Sequence, residues 1–179
     1  NELPIRIEDK PRLKYRGLLI DTSRHYIPVS QILKIINGLS LLKLNVLHWH
    51  IIDSQSFPFK SKTFPRLSKY GAYDSEQAVY THEDILKIIK YAFYRGIEII
   101  PEIDVPGHAA SWGHGYPNII VDCPDRVATD DRLLEHGVDK IALNVLKNET
   151  YTVVFGVLKE IANLFPSQRI HLGGDEIDG

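Results

Sequence analysis

The sequence closes on "HLGGDEIDG", residues 171–179, where two adjacent acids, Asp175 and Glu176, follow a glycine pair. On an ideal strand neighbouring side chains point to opposite faces, so both carboxyls reach one pocket only if the strand ends or bends there. Gly173 and Gly174 supply that freedom. Two carboxyls in one pocket repel, so one holds its proton toward neutral pH and becomes a general acid while its neighbour stays ionised. The same pair also suits a helix N-terminus, where acids oppose the positive end of the dipole.

Three further groups carry chemistry-bearing residues. In "HWH" (48–50), His48 and His50 are two apart on a strand and share a face, as ligands of a divalent metal would, with Asp53 or Asp104 beside them. The alternative is a pair of core histidines bonded to neighbouring strands, and the lack of a third histidine at matching spacing favours it. In "EIDVPGHAASW" (102–112), Asp104 ends an apolar run, Pro106 and Gly107 turn the chain, and His108 follows. An acid close to a histidine orients it or tunes its charge. Trp112 is either the floor of a sugar site or a core residue. Arg16 precedes the first apolar run and Arg24 follows it, and an arginine fork suits hydroxyls and carboxylates.

The elements that must position these residues alternate in type. "GLLID" (17–21), "LNVLHWHIID" (44–53), "IEIIPEIDVPG" (97–107) and "RIHLGG" (169–174) read as buried strands. Between them, Ile32, Ile35, Ile36 and Leu39 have helical spacing. Thr81 and Asp84 open a second helix that carries Ile85, Ile88, Ile89 and Ala92 and stops near Gly96. A third carries Val153, Val154, Val157, Leu158, Ile161 and Leu164. Strand and helix in strict alternation predict an α/β fold with a parallel sheet. Each strand delivers an acid at its C-terminal end: Asp21, Asp53, Asp104, and Asp175 with Glu176. Parallel βα folds build their active sites at that end. The polar stretch from Asp122 to Lys140 reads as a solvated excursion.

With 179 residues, 44% hydrophobic and 25% charged, the chain has the make-up of one globular domain. Its 21 basic and 23 acidic residues offer no footprint for nucleic acid, and no apolar run approaches the roughly 18 residues of a membrane span. The first residues lack the apolar core of a signal peptide. Cys123 is the sole cysteine, so it is either a buried thiol or half of a bridge to something outside this sequence. Asn148-Glu149-Thr150 is an N-glycosylation sequon. With no methionine, the sequence is expected to be a processed product, an excised domain or a partial one.

Together, "YRGLLIDTSRHY" (15–26), "LNVLHWHIIDSQSFPF" (44–59), "EIDVPGHAASW" (102–112) and "HLGGDEID" (171–178) resemble the catalytic domain of the β-N-acetylhexosaminidases of glycoside hydrolase family 20. The wording around "HWHIIDSQSFPF" is most similar to the eukaryotic lysosomal and secreted branch. The resemblance implies a parallel (β/α) barrel of TIM type, of which residues 1–179 would be the N-terminal half, with about the first four of eight strands. It implies a retaining exo-hydrolase of terminal β-linked N-acetylhexosamine that uses no metal and no cofactor. The substrate's own 2-acetamido oxygen is the nucleophile, an exception to the two-carboxylate scheme.

In that scheme Glu176 matches the general acid and Asp175 the residue that accepts the acetamide N–H. Asp53 and His108 match supporting groups beside the acid, and Arg16 the arginine that holds sugar hydroxyls. His48 and His50 match structural histidines. The resemblance further implies that Cys123 pairs with a cysteine shortly after "GGDE" and that Asn148 carries a glycan. "ALNVLK" (142–147) departs from the family's proline-containing turn. Expected partners are glycans ending in N-acetylglucosamine or N-acetylgalactosamine, the rest of the barrel, and a homo- or heterodimer mate. The expected location is lysosomal or secreted. Two other classes stand beside this one: a non-catalytic half-barrel or carbohydrate-binding unit, and a metal-dependent barrel hydrolase.

Overall fold

The computed structural model describes residues 4–121 and 141–175. Three parallel strands form its sheet in the order β1 (Gly17–Asp21), β2 (Val46–Ile52) and β3 (Glu98–Ile103). The register places Gly17 beside Val46 and Val46 beside Glu98, so all three strands end at one rim. Helix α1 (Val29–Leu41) crosses from β1 to β2, and helix α3 (His82–Phe93) leads into β3. Short helices α2 (Arg66–Gly71) and α4 (Ala110–Gly115) pack together beyond the rim. A 3-10 turn at Pro117–Ile119 follows, and helix α5 (Asn148–Leu164) is the last among the described residues.

Local sequence accounts for most of these limits. Thr81 caps α3 reciprocally: its hydroxyl accepts the Asp84 N–H, and the Asp84 carboxylate accepts the Thr81 N–H. Past the end of that helix, Gly96 takes a left-handed φ of 66° and donates its N–H to the Phe93 carbonyl, a turn that suits glycine. The apolar stripes sort as their spacing predicts: Ile32, Ile36 and Leu39 are buried on α1, Ile85, Ile88 and Ala92 on α3, and Val153, Val154, Val157 and Ile161 on α5.

The core sits under the central strand. Trp49 is fully buried, edge-on to Tyr80 at 5.0 Å and to Phe165 at 6.3 Å, and its indole N–H reaches the Thr22 hydroxyl at 2.9 Å. Trp112 is equally buried and packs edge-on against Phe57 at 5.0 Å. Among the described residues it is therefore a core residue. β1 is the outer strand, with Leu18 44% and Leu19 51% exposed.

Among the described residues three of the four expected strands form a ladder. Residues 169–174 lie parallel to β3 but form a single bridge, Glu102 with His171, instead of a ladder. His171 donates to the Pro101 carbonyl at 2.9 Å, Ile103 to the His171 carbonyl at 3.0 Å and Val105 to the Leu172 carbonyl at 3.0 Å. Gly173 and Gly174, at φ 63° and 91°, leave the extended region immediately afterwards. The far side of this segment has no strand partner among the described residues. The stretch from Asp122 to Lys140, with Cys123 in it, and Glu176 lie outside the described residues.

Candidate active site

Every strand contributes to one polar cluster at the C-terminal rim. After β1, the Asp21 carboxylate accepts the N–H groups of Ser23 at 2.9 Å and Arg24 at 3.0 Å. That local turn swings Arg24 back over the rim. Its guanidinium then bridges two acids, Asp21 at 2.9 Å and Asp53 at 3.0 Å. Asp53 follows β2 and is fully buried. One of its oxygens accepts the Ser54 N–H at 2.6 Å and lies 3.2 Å from His108 Nδ1, while the other is 2.7 Å from His50 Nε2. His108 adopts φ 53°, a left-handed value costly for a residue with a Cβ and typical of functional sites. This places its Nε2 4.0 Å from the Asp175 carboxylate.

A second layer runs beneath. Glu102, buried on β3, gathers three imidazoles: His48 at 2.5 Å, His50 at 3.2 Å and His171 at 3.3 Å. Since His50 also holds Asp53, the two layers are one continuous chain of charge. Burial alone would lower the His50 imidazole, but hydrogen bonds to Asp53 and Glu102 overcome it and lift the group to about 10. Burial would likewise raise Glu102, yet His50, with His171 and His48 nearby, brings it down to about 2. Asp53 is held below the usual carboxylate range for the same reason: burial opposes ionisation, and His50, the Ser54 N–H, Arg24 and His108 outweigh it. Asp104 differs. Burial and the neighbouring Asp175 push it up, and the Gly174 N–H offsets only part of that.

These shifts set a pH window. His50 is raised in the folded state, so its contribution is complete below about 6.5 and is lost as pH climbs toward about 10. Glu102 is lowered, so its contribution is present above about 4.5 and is lost as pH falls toward about 2. Thermal unfolding followed against pH should give a plateau between those two unfolded values, with a decline on each side. His50→Gln should flatten the alkaline arm, and an alkaline arm that survives would assign it to another group.

The glycine pair has a specific task. The Gly174 N–H donates to Asp104 Oδ1 at 3.0 Å, which pins the turn bearing Asp175 to the end of β3. A Cβ on Gly173 would fall 1.8 Å from that same carboxylate oxygen, at a φ that L-residues avoid. Gly173→Ala should therefore dislodge the turn, costing about 1–3 kcal/mol in chemical denaturation. Wild-type stability in that variant would remove the clamp from this account.

The structure sets one expected residue apart from this cluster and adds one that the sequence reading passed over. Arg16 is not at the rim: its guanidinium donates to the carbonyls of Lys43 at 2.7 Å and Leu13 at 2.5 Å, both before the strands begin. Arg24, which follows the strand, is the arginine that stands among the acids of the rim. Glu102 was overlooked because it lies inside an apolar run; an acid at a buried strand position is itself the signal. His48 and His50 share a face, as their spacing requires, and both turn to Glu102.

The donor atoms of His48, Glu102 and His171, of His50, Glu102 and Asp104, and of Asp53, Asp104 and His108 converge closely enough to hold a cation. In the central group a metal would have to displace the proton that two carboxylates hold on His50.

Residues 13–179 match the model of the glycosyl hydrolase family 20 catalytic domain. The chain belongs to that family. It is 48% identical over 172 residues to human beta-hexosaminidase subunit beta and 48% identical over 175 residues to beta-hexosaminidase 1 of Arabidopsis thaliana. Those alignments cover 96% and 98% of this chain but only 30% and 29% of the relatives, so the chain spans under a third of their length. Among solved structures it superposes with TM-score 0.84 on a family 20 β-N-acetylglucosaminidase, at 32% identity over 97% of this chain and 39% of the other. On the Vibrio harveyi exo-β-N-acetylglucosaminidase in complex with N-acetylglucosamine the TM-score is 0.81, at 35% identity over 94% of this chain and 28% of the other. The polar rim is therefore the part of a family 20 domain that these residues provide.

Proposed function

We propose that the chain supplies the N-terminal half of a (β/α)8 barrel in a retaining exo-β-N-acetylhexosaminidase. The observation that carries this reading is the buried Asp53–His108 pair aimed at Asp175, with Arg24 beside it. A carboxylate that orients an imidazole toward a second acid is machinery for controlling protons, and packing does not require it. Known family 20 enzymes of beta-hexosaminidase and N-acetylglucosaminidase name, one holding N-acetylglucosamine, support the substrate class.

In this scheme Glu176 protonates the glycosidic oxygen as the substrate's acetamide oxygen closes on the anomeric carbon and the glycosidic bond breaks. Asp175 accepts the acetamide N–H and steadies the positive charge that develops on the oxazolinium ring. Water then attacks the same carbon, returns its proton to Glu176 and restores the acetamide. His108, held by Asp53, governs the charge around the two acids. The hydroxyl-binding assignment of Arg16 rests on the sequence resemblance, while Arg24 neutralises Asp21 and Asp53 at the rim. The sugar is N-acetylglucosamine or N-acetylgalactosamine at a β-linked terminus. The name "subunit" of the human relative supports a homo- or heterodimer. A secreted or lysosomal location rests on the sequence resemblance and the Asn148 sequon.

The test uses the full-length protein on an aryl N-acetyl-β-glucosaminide, followed by proton NMR. The β-anomer should appear first, and replacing the acetamido group by hydroxyl should slow turnover by roughly 10⁵-fold or more, the value of an intramolecular nucleophile. The α-anomer as first product, or indifference to the 2-substituent, would overturn the mechanism. The convergence of His48, Glu102 and His171 keeps a metal-dependent hydrolase as the second reading. Full activity after chelation and dialysis removes it.

A further inference from the structure

The three strands align one row of polar residues just below the rim. Asp21 on β1 lies beside His50 on β2, and His50 beside Glu102 on β3. His50 and Glu102 are buried, where an apolar side chain would pack without the cost of enclosing charge. Beyond this row the register slips between His50 and Ile52. On a regular strand residues three apart face opposite sides, whereas an irregularity of this kind re-aims the side chains that follow it. Asp53 accordingly returns to the face of His50 and sets one oxygen 2.7 Å from its Nε2.

His50 is thereby gripped at both ring nitrogens, by Asp53 at Nε2 and by Glu102 at Nδ1, 3.2 Å away. A neutral imidazole has a single N–H and serves one carboxylate; the ring serves both only with a proton on each nitrogen. The other Asp53 oxygen is left for His108 Nδ1 at 3.2 Å, and His108 Nε2 stands 4.0 Å from Asp175. Further charged groups face these links from the neighbouring strands and loops. Asp21 and Asp104 lie near His50, Arg24 and Asp104 near Asp53, and His48 and His171 against Glu102. Glu102 is the acid placed against Nδ1.

We propose that Glu102 is a positioning residue for the hexosaminidase reaction, holding His50 against Asp53 so that the Asp53–His108 pair stays aimed at the catalytic acids. The inference rests on the enzymatic reading given above. Glu102 meets neither substrate nor reacting atom, and its influence passes through His50. With an amide in place of this carboxylate, His50 can release its Nδ1 proton to solvent. The neutral ring is then free to turn an acceptor nitrogen on Asp53, and acceptor against carboxylate repels. Asp53 loosens, and His108 is no longer held. The lift of His50 to about 10 agrees with a ring gripped at both ends.

The test measures kcat and KM of the full-length protein on a disaccharide ending in β-linked N-acetylglucosamine, corrected for the folded fraction. Glu102→Gln and His50→Gln should each lower kcat by roughly 10²-fold, the cost of a remote misplacement, with KM nearly unchanged. The double variant should fall no further than His50→Gln alone, because the two residues act as one unit. Losses that multiply overturn the inference, since Glu102 would then act through another neighbour such as His171. A rise in KM at constant kcat overturns it as well. Nitrogen NMR of isotope-labelled histidine in the wild type covers the case of variants that fail to fold. One buried ring should carry protons on both nitrogens at about pH 8, where a free imidazole is neutral. A spectrum without such a ring overturns the proposal. An active wild type whose variants depart from these results sinks this inference alone, whereas an inactive wild type overturns the enzymatic reading and the role of Glu102 with it.

Discussion

Asp53→Asn is expected to destabilise the folded protein by roughly 3–5 kcal/mol, the cost of breaking a buried ion pair from one side. Four donors converge on this carboxylate: Arg24, His50, His108 and the Ser54 N–H. A carboxylate offers two oxygens to them, whereas an amide offers one oxygen and turns an NH2 group toward the rest. His50 and Arg24 would keep their charges with Glu102 and Asp21 as their remaining acidic partners. The effect should appear as a lower denaturant midpoint. In the full-length enzyme it should also appear as a fall in kcat beyond what the lost folded fraction explains, because His108 loses its orienting partner. A variant within about 1 kcal/mol of wild type would mean that the cluster is not charged as described.

The second large effect concerns Glu176→Gln. Removal of a general acid costs about 10²–10⁴-fold in rate, and the cost should depend on the leaving group. Substrates that release a sugar hydroxyl need the proton and should show the full loss. An activated aryl leaving group departs without it and should be turned over far closer to the wild-type rate at the bond-breaking step. A uniform loss across leaving groups would assign Glu176 a binding role. Asp175→Asn should behave differently, slowing closure of the oxazolinium ring for both substrate classes.

Much of this arrangement was legible in the sequence because strand ends and helix caps are local. The Thr81–Asp84 cap, the stripe on α1 and the acids after three apolar runs all follow from residues close together in the chain. Arg16 and Arg24 show what local reading leaves out. Both flank β1 and have the same chemistry, and only the direction of the chain through the sheet puts one at the rim and the other at the opposite end. Glu102 was hidden for another reason: its three imidazole partners come from β2 and from the segment after α5, so its role is tertiary. Helices α2 and α4 are single short turns held by contacts with each other, and no periodicity of six residues could have announced them.

The uncovered edge of β1 bears on how the enzyme is made. Leu18 and Leu19 lie on a strand whose outer side has no partner among the described residues. Unpaired strand edges take whatever strand arrives first, including one from another copy. In the barrel proposed above, this edge would wait during synthesis for the segment that closes against it. Changes at Leu18 or Leu19 that weaken the eventual match should show up first as less enzyme reaching maturity, with each surviving molecule as active as before.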